Sequence, residues 1–92
     1  MVGYAYLKLA RLHSDTEQWA DAAAHFKLFL QEDPDDSRVR GVLCDLGKAY
    51  EKMGELELAV EVYGRLTEMI DPNSPLAKEL QTRIEQLGGQ VK

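Results

Sequence analysis

Residues 46–72, LGKAYEKMGELELAVEVYGRLTEMIDP, repeat the pattern of residues 9–34, LARLHSDTEQWADAAAHFKLFLQEDP, at a shift of 37 residues. Tyr6 falls on Leu43, Leu9 on Leu46, Ala10 on Gly47 and His13 on Tyr50. Past the first break Trp19 falls on Leu56, Ala22 on Ala59, Phe26 on Tyr63 and Phe29 on Leu66. Small side chains meet small and large meet large, as expected when one supersecondary unit is used twice. Asp33-Pro34 returns as Asp71-Pro72 after 38 residues, so the second unit carries one extra residue near the end of its last helix.

Working outward, apolar residues recur at spacings of three and four and nowhere alternate strictly, which predicts helix throughout. Breaks fall at Ser14-Asp15-Thr16, at Asp33-Pro34-Asp35-Asp36-Ser37, at Met53-Gly54-Glu55, at Asp71-Pro72-Asn73-Ser74-Pro75 and at Gly88-Gly89. Each supplies a side chain that accepts orphan N–H groups, a proline that refuses one, or a glycine for a left-handed end. Five helices follow, over 3–14, 17–32, 37–53, 55–70 and 75–87. A helix has one apolar stripe to bury, and a pair of helices leaves faces that a neighbouring pair can cover. Trp19 is expected to be largely buried at its hairpin turn.

The stretch Leu46-Gly47-Lys48-Ala49-Tyr50, the turn Gly54-Glu55-Leu56, then Ala59, Tyr63 and Asp71-Pro72 resemble a tetratricopeptide repeat. In the first unit Trp19, Ala22, Phe26 and Pro34 fit the same pattern, while Ala10 stands for the glycine, His13 for the tyrosine and Glu17 for the turn glycine. The resemblance implies an all-α fold of antiparallel helical hairpins stacked as a short right-handed α-solenoid. One domain over 1–92 is expected, with repeats at 3–34 and 37–72 and a capping helix at 75–87. It also implies a non-catalytic interaction module whose first helices line a concave groove.

At 92 residues the chain accommodates one domain. Sixteen Asp and Glu against 11 Lys and Arg give a net charge of −5, which argues against a grip on nucleic acid or on an anionic membrane. A single cysteine fits a reducing, cytoplasmic setting, or a periplasmic one if the chain belongs to an exported protein.

Catalytic chemistry finds little to work with, and no cofactor is expected. His13, His25 and Cys44 are the nitrogen and sulfur candidates for a metal, and they lack ligand spacing. Ser14, Ser37 and Ser74 stand at expected helix starts, where capping accounts for them. Cys44 reads as a small apolar filler. Glu55, Glu57, Glu61 and Glu68 follow the spacing of a solvated face.

A groove is the remaining candidate. Off the packing stripe of the first and third helices lie Tyr4, Leu7, Arg11, Cys44, Lys48 and Lys52, with Leu7 on Cys44 and Arg11 on Lys48 at the 37-residue shift. The resemblance to the tetratricopeptide repeat places these six along the groove, where they would give an apolar floor with basic walls, suited to a peptide or partner helix bearing acidic groups. Opposed to this is an ordinary wet surface on which Arg11 and Lys48 pair with Asp15, Asp45 and Glu51. At the ends of the stack, Leu76, Leu80, Ile84 and Leu87 form a stripe expected to pack on the fourth helix, with Arg83 on the water side. No comparable helix covers Tyr6, Leu9 and Leu12, so a homodimer, if one forms, is expected to form through the N-terminal end.

Overall fold

A computed structural model describes residues 2–90. It contains five helices, α1 (Val2–Asp15), α2 (Trp19–Glu32), α3 (Val39–Met53), α4 (Leu56–Glu68) and α5 (Pro75–Gln90). No strand occurs among the described residues. Successive helices pack pairwise, α1 on α2, α2 on α3, α3 on α4 and α4 on α5, in a body of 36 × 27 × 18 Å.

The repeated sequence yields repeated backbone. At the first hairpin turn the N–H groups of Glu17 and Gln18 donate to the carbonyls of Ser14 and His13, and at the second those of Gly54 and Glu55 donate to Glu51 and Tyr50. Each is a left-handed helix end, with φ of 60° at Glu17 and 78° at Gly54. Glu17 thus holds a conformation that glycine takes without strain. Between the units Asp36 N–H donates to Asp33 C=O, and 38 residues on Ser74 N–H donates to Asp71 C=O.

The core is the aligned set. Ala10, Ala22, Phe26, Phe29, Ala59 and Leu66 are fully buried, with Tyr63 and Leu46 each 2 % exposed. A Cβ on Gly47 would run into the Tyr63 ring, so glycine is what lets α3 and α4 approach. No buried polar side chain among the described residues lacks a partner.

Several boundaries and burials depart from the sequence expectation. α2 starts at Trp19 because the left-handed Glu17 cannot be helical, and α3 starts at Val39 because Asp36 Oδ1 accepts from the Arg38 N–H and turns the chain. Ser14 lies inside the last turn of α1, so it is not a cap; Ser74 is one, its Oγ accepting from Ala77 N–H at 3.1 Å. Gly88-Gly89 does not end α5, because Leu87, 4 % exposed, anchors that turn in the core and the helix continues to Gln90.

Candidate functional site

Leu7 is the clear correction to the expected groove. It is fully buried, where a groove floor should be exposed. α1 packs on α2, so its buried stripe is centred on Gly3, Leu7 and Ala10, at spacings of four and three. α3 is flanked by α2 and α4 and buries a wider arc, from Val39 and Val42 through Leu43, Leu46, Gly47, Ala49 and Tyr50. Leu9 and Leu12, aligned with buried Leu46 and Ala49, are 42 % and 58 % exposed. The repeat therefore fixes the register but not the burial, which depends on what stands on each side.

A crevice of about 580 Å³ is lined by Ser14, Asp15, Trp19, Asp45, Lys48, Glu51, Lys52 and Arg83. A smaller hollow of about 140 Å³ adjoins it, sharing Lys48 and Arg83 and adding Cys44, Tyr63, Leu76, Glu79 and Leu80. Of the expected residues, Cys44, Lys48 and Lys52 come together here. Arg11 adjoins them, since it and Lys48 both act on the Asp45 carboxylate. Tyr4, 47 % exposed, shares a face of α1 with Arg11 but lies two turns away. Its ring centroid sits 5.5 Å from both the Lys8 ammonium and the Arg38 guanidinium. Arg38 is itself held by Asp36 through Nε–Oδ1 and Nη2–Oδ2 bonds of 2.9 and 2.8 Å. Those bonds hold the Asp36 carboxyl down at about 2.

Besides Ser14 and Asp15 at the end of α1, four crevice residues were not among the expected groove set. Trp19 packs against the core but is only partly buried, and it forms a wall of the crevice instead of filling the hairpin turn. Arg83 turns toward α3, and its Nη1 donates to Glu51 Oε1 at 3.1 Å. Glu51 Oε2 accepts from the Tyr63 hydroxyl as well, so Glu51 is occupied twice. Asp45 completes the set. The signal for Arg83 was present in the sequence, because the 38-residue shift that carries Asp33-Pro34 onto Asp71-Pro72 also carries Asp45 onto Arg83.

Electrostatics distinguishes the cations. The ion pairs among the described residues are Arg38–Asp36 and Arg83–Glu51, and neither exposed Lys48 nor exposed Lys52 takes part. Burial pushes the Asp45 carboxyl upward, with Lys48 and Arg11 pulling it part of the way back. Burial also pushes the Cys44 thiol up, which disfavours the reactive thiolate. No group of three or more His, Cys, Asp and Glu side chains suited to a metal ion occurs among the described residues. No helix among them is long and apolar enough to cross a membrane.

Antiparallel helix pairs stacked in register, with the first helices lining a charged crevice, define a helical-repeat protein. Residues 13–84 match the tetratricopeptide repeat, and the chain belongs to that family. A search of curated proteins gave no match. Tetratricopeptide repeats are in general protein-interaction modules.

Proposed function

We propose that the protein is a non-catalytic interaction module that holds an acidic peptide or helix segment in the concave crevice. In this reading the repeats span 3–34 and 37–72, with 75–87 as the cap. The observation that carries it is the placing of Lys48 and Lys52, outside both ion pairs, beside the partly buried Trp19. A carboxylate entering there meets two ammonium groups while an apolar neighbour lies on the indole. Arg83 is already bound to Glu51 and serves as a wall. Cys44 floors the adjoining hollow, and Arg11 and Tyr4 continue the track along α1.

Binding of a library of fluorescent Asp- and Glu-bearing peptides tests this. Lys48→Gln with Lys52→Gln should weaken the best binders tenfold or more while the melting temperature stays within about 2 °C, because exposed charges contribute little to stability. Undiminished binding by the double variant overturns the crevice reading. Glutamine is preferable to glutamate at these sites. A reversed charge at Lys48 would face Asp45 and alter stability as well as binding.

A second reading, self-association through the N-terminal end, is favoured by the exposure of Leu9 and Leu12. It predicts a concentration-dependent dimer in sedimentation that Leu9→Glu abolishes.

A further inference from the structure

The two repeats differ at one seam where their backbones agree. His13 of α1 and His25 of α2 lie side by side, and 37 residues on the same positions are held by Tyr50 of α3 and Val62 of α4. Tyr50 and Val62 are each 6 % exposed and close their seam with apolar surface. His13 and His25 are half-buried, their rings nearly parallel at 21° and their centroids 5.1 Å apart. Apolar side chains suffice to fill the seam, as the second repeat shows, so two imidazoles in the same places bring chemistry that packing does not need.

Hydrogen bonds fix which nitrogen of each ring is free. His13 Nδ1 lies 2.7 Å from Gln18 Oε1, and His25 Nδ1 lies 2.9 Å from the Asp21 carbonyl oxygen. Neither oxygen carries a proton, so each Nδ1 donates and each Nε2 is left with a bare lone pair. In this arrangement histidine binds a metal, the outer hydrogen bond setting the tautomer and holding the ring. The separation agrees: two imidazole nitrogens about 2.1 Å from one tetrahedral ion place their ring centroids about 5 Å apart. The two residues are 12 apart in the chain, a spacing that carries no ligand motif, and the turn at Glu17 brings them together by folding α2 back on α1.

We infer that His13 and His25 form a two-histidine site for a late first-row divalent ion, Zn²⁺ or its neighbours Cu²⁺ and Ni²⁺, bound through both Nε2 atoms. Imidazole suits these ions, whereas Mg²⁺ and Ca²⁺ take oxygen ligands. Water fills the remaining positions, so the ion is exchangeable, unlike one enclosed by four protein ligands. The excess of acidic over basic residues favours a cation at the surface. The bound ion ties the last turn of α1 to the middle of α2 and stiffens the first hairpin, through residues distinct from those that line the crevice.

Calorimetric titration of the full chain with zinc chloride at neutral pH tests this. One Zn²⁺ per chain should bind, and the melting temperature should rise by about 5 °C or more once free zinc is about a hundredfold above Kd. Mg²⁺ should do neither. His13→Gln and His25→Gln should each weaken binding by about tenfold or more. His13→Tyr with His25→Val, which installs the residues of the second repeat, should keep the helical spectrum and abolish the zinc response. Cys44→Ser should leave binding unchanged, since the thiol lies in the hollow beside Lys48 and Arg83. Binding undetectable at about 1 mM Zn²⁺, binding that survives the histidine substitutions, or binding lost in Cys44→Ser overturns the inference. So does a zinc-linked dimer in sedimentation velocity with one ion per two chains, because the ligands then come from different molecules.

Discussion

Glu17 and Gly54 occupy the same place in the two hairpin turns, and both are left-handed. A side chain in that conformation is strained by roughly 1–2 kcal/mol, while glycine forfeits part of the advantage through its freer unfolded chain. Glu17→Gly should therefore stabilise the protein by about 0.5–1 kcal/mol and raise its melting temperature by about 4 °C. Gly54→Ala, which meets no neighbouring atom, should lower stability by about 1 kcal/mol through backbone strain alone. Equal melting temperatures across this pair would show that the turns do not share one geometry. At Gly47 the cause is steric, because an added methyl strikes the Tyr63 ring and loosens its bond to Glu51. Overpacking of this kind costs about 1–3 kcal/mol. Asp45 gives a prediction in pH. Its folded pKa lies above the ordinary value of 3.8, so it favours folding while protonated, and that contribution is lost as pH rises through the raised value. Asp45→Asn should accordingly melt higher than the parent at pH 7, and the two should converge as the pH is lowered toward 4. A variant less stable at pH 7 would mean that Lys48 and Arg11 outweigh burial.

At the scale of the element, α5 shows what the sequence reveals and what it withholds. Its entry was legible: Asp71-Pro72-Asn73-Ser74-Pro75 announces a stop and a start, and Ser74 caps the helix while Pro75 takes the first helical position. Ser74→Ala should cost about 1 kcal/mol, read as a lowered urea midpoint at unchanged slope. Its stripe was legible in part. Leu80 and Leu87 are buried as the spacing indicates, but Leu76 is 39 % exposed and Ala77 takes its place. Whether Arg83 faces water or α3 depends on how α5 crosses its neighbours, which no spacing within one helix encodes. The same limit explains α1. Leu7 and Leu9 are equally apolar, and their fates differ because α2 covers one side of the helix and leaves the other open. Register, turn positions and the small residues at close approaches follow from the repeat. Burial at the ends and the far partners of long cations follow from assembly.

For the molecule as a whole, packing between successive helices makes stability a chain of neighbour terms, with each end held from one side. α3 is gripped by both α2 and α4 and carries seven of the buried residues. α1 leans on α2 with its apolar outer face open. Unfolding should then begin at α1, and native-state hydrogen exchange should rank the helices accordingly. Amides between Leu43 and Tyr50 should require global unfolding to exchange, whereas those of α1 should exchange through a local opening of lower free energy. α5 should fall between the two, since the Arg83–Glu51 bond fastens it to α3 in addition to its packing on α4, whereas neither ion pair among the described residues involves α1. Denaturant dependence separates the cases, because local opening exposes little surface and responds weakly to urea while global unfolding responds steeply. If α1 amides show the same free energy and the same urea slope as those of α3, the chain opens as one cooperative unit and the description of α1 as a loosely held end fails. A loosely held α1 has a functional consequence. Asp15 lines the crevice and Leu9 and Leu12 lie on the exposed face of this helix, so on the proposed reading a peptide held in the crevice would also stiffen that face.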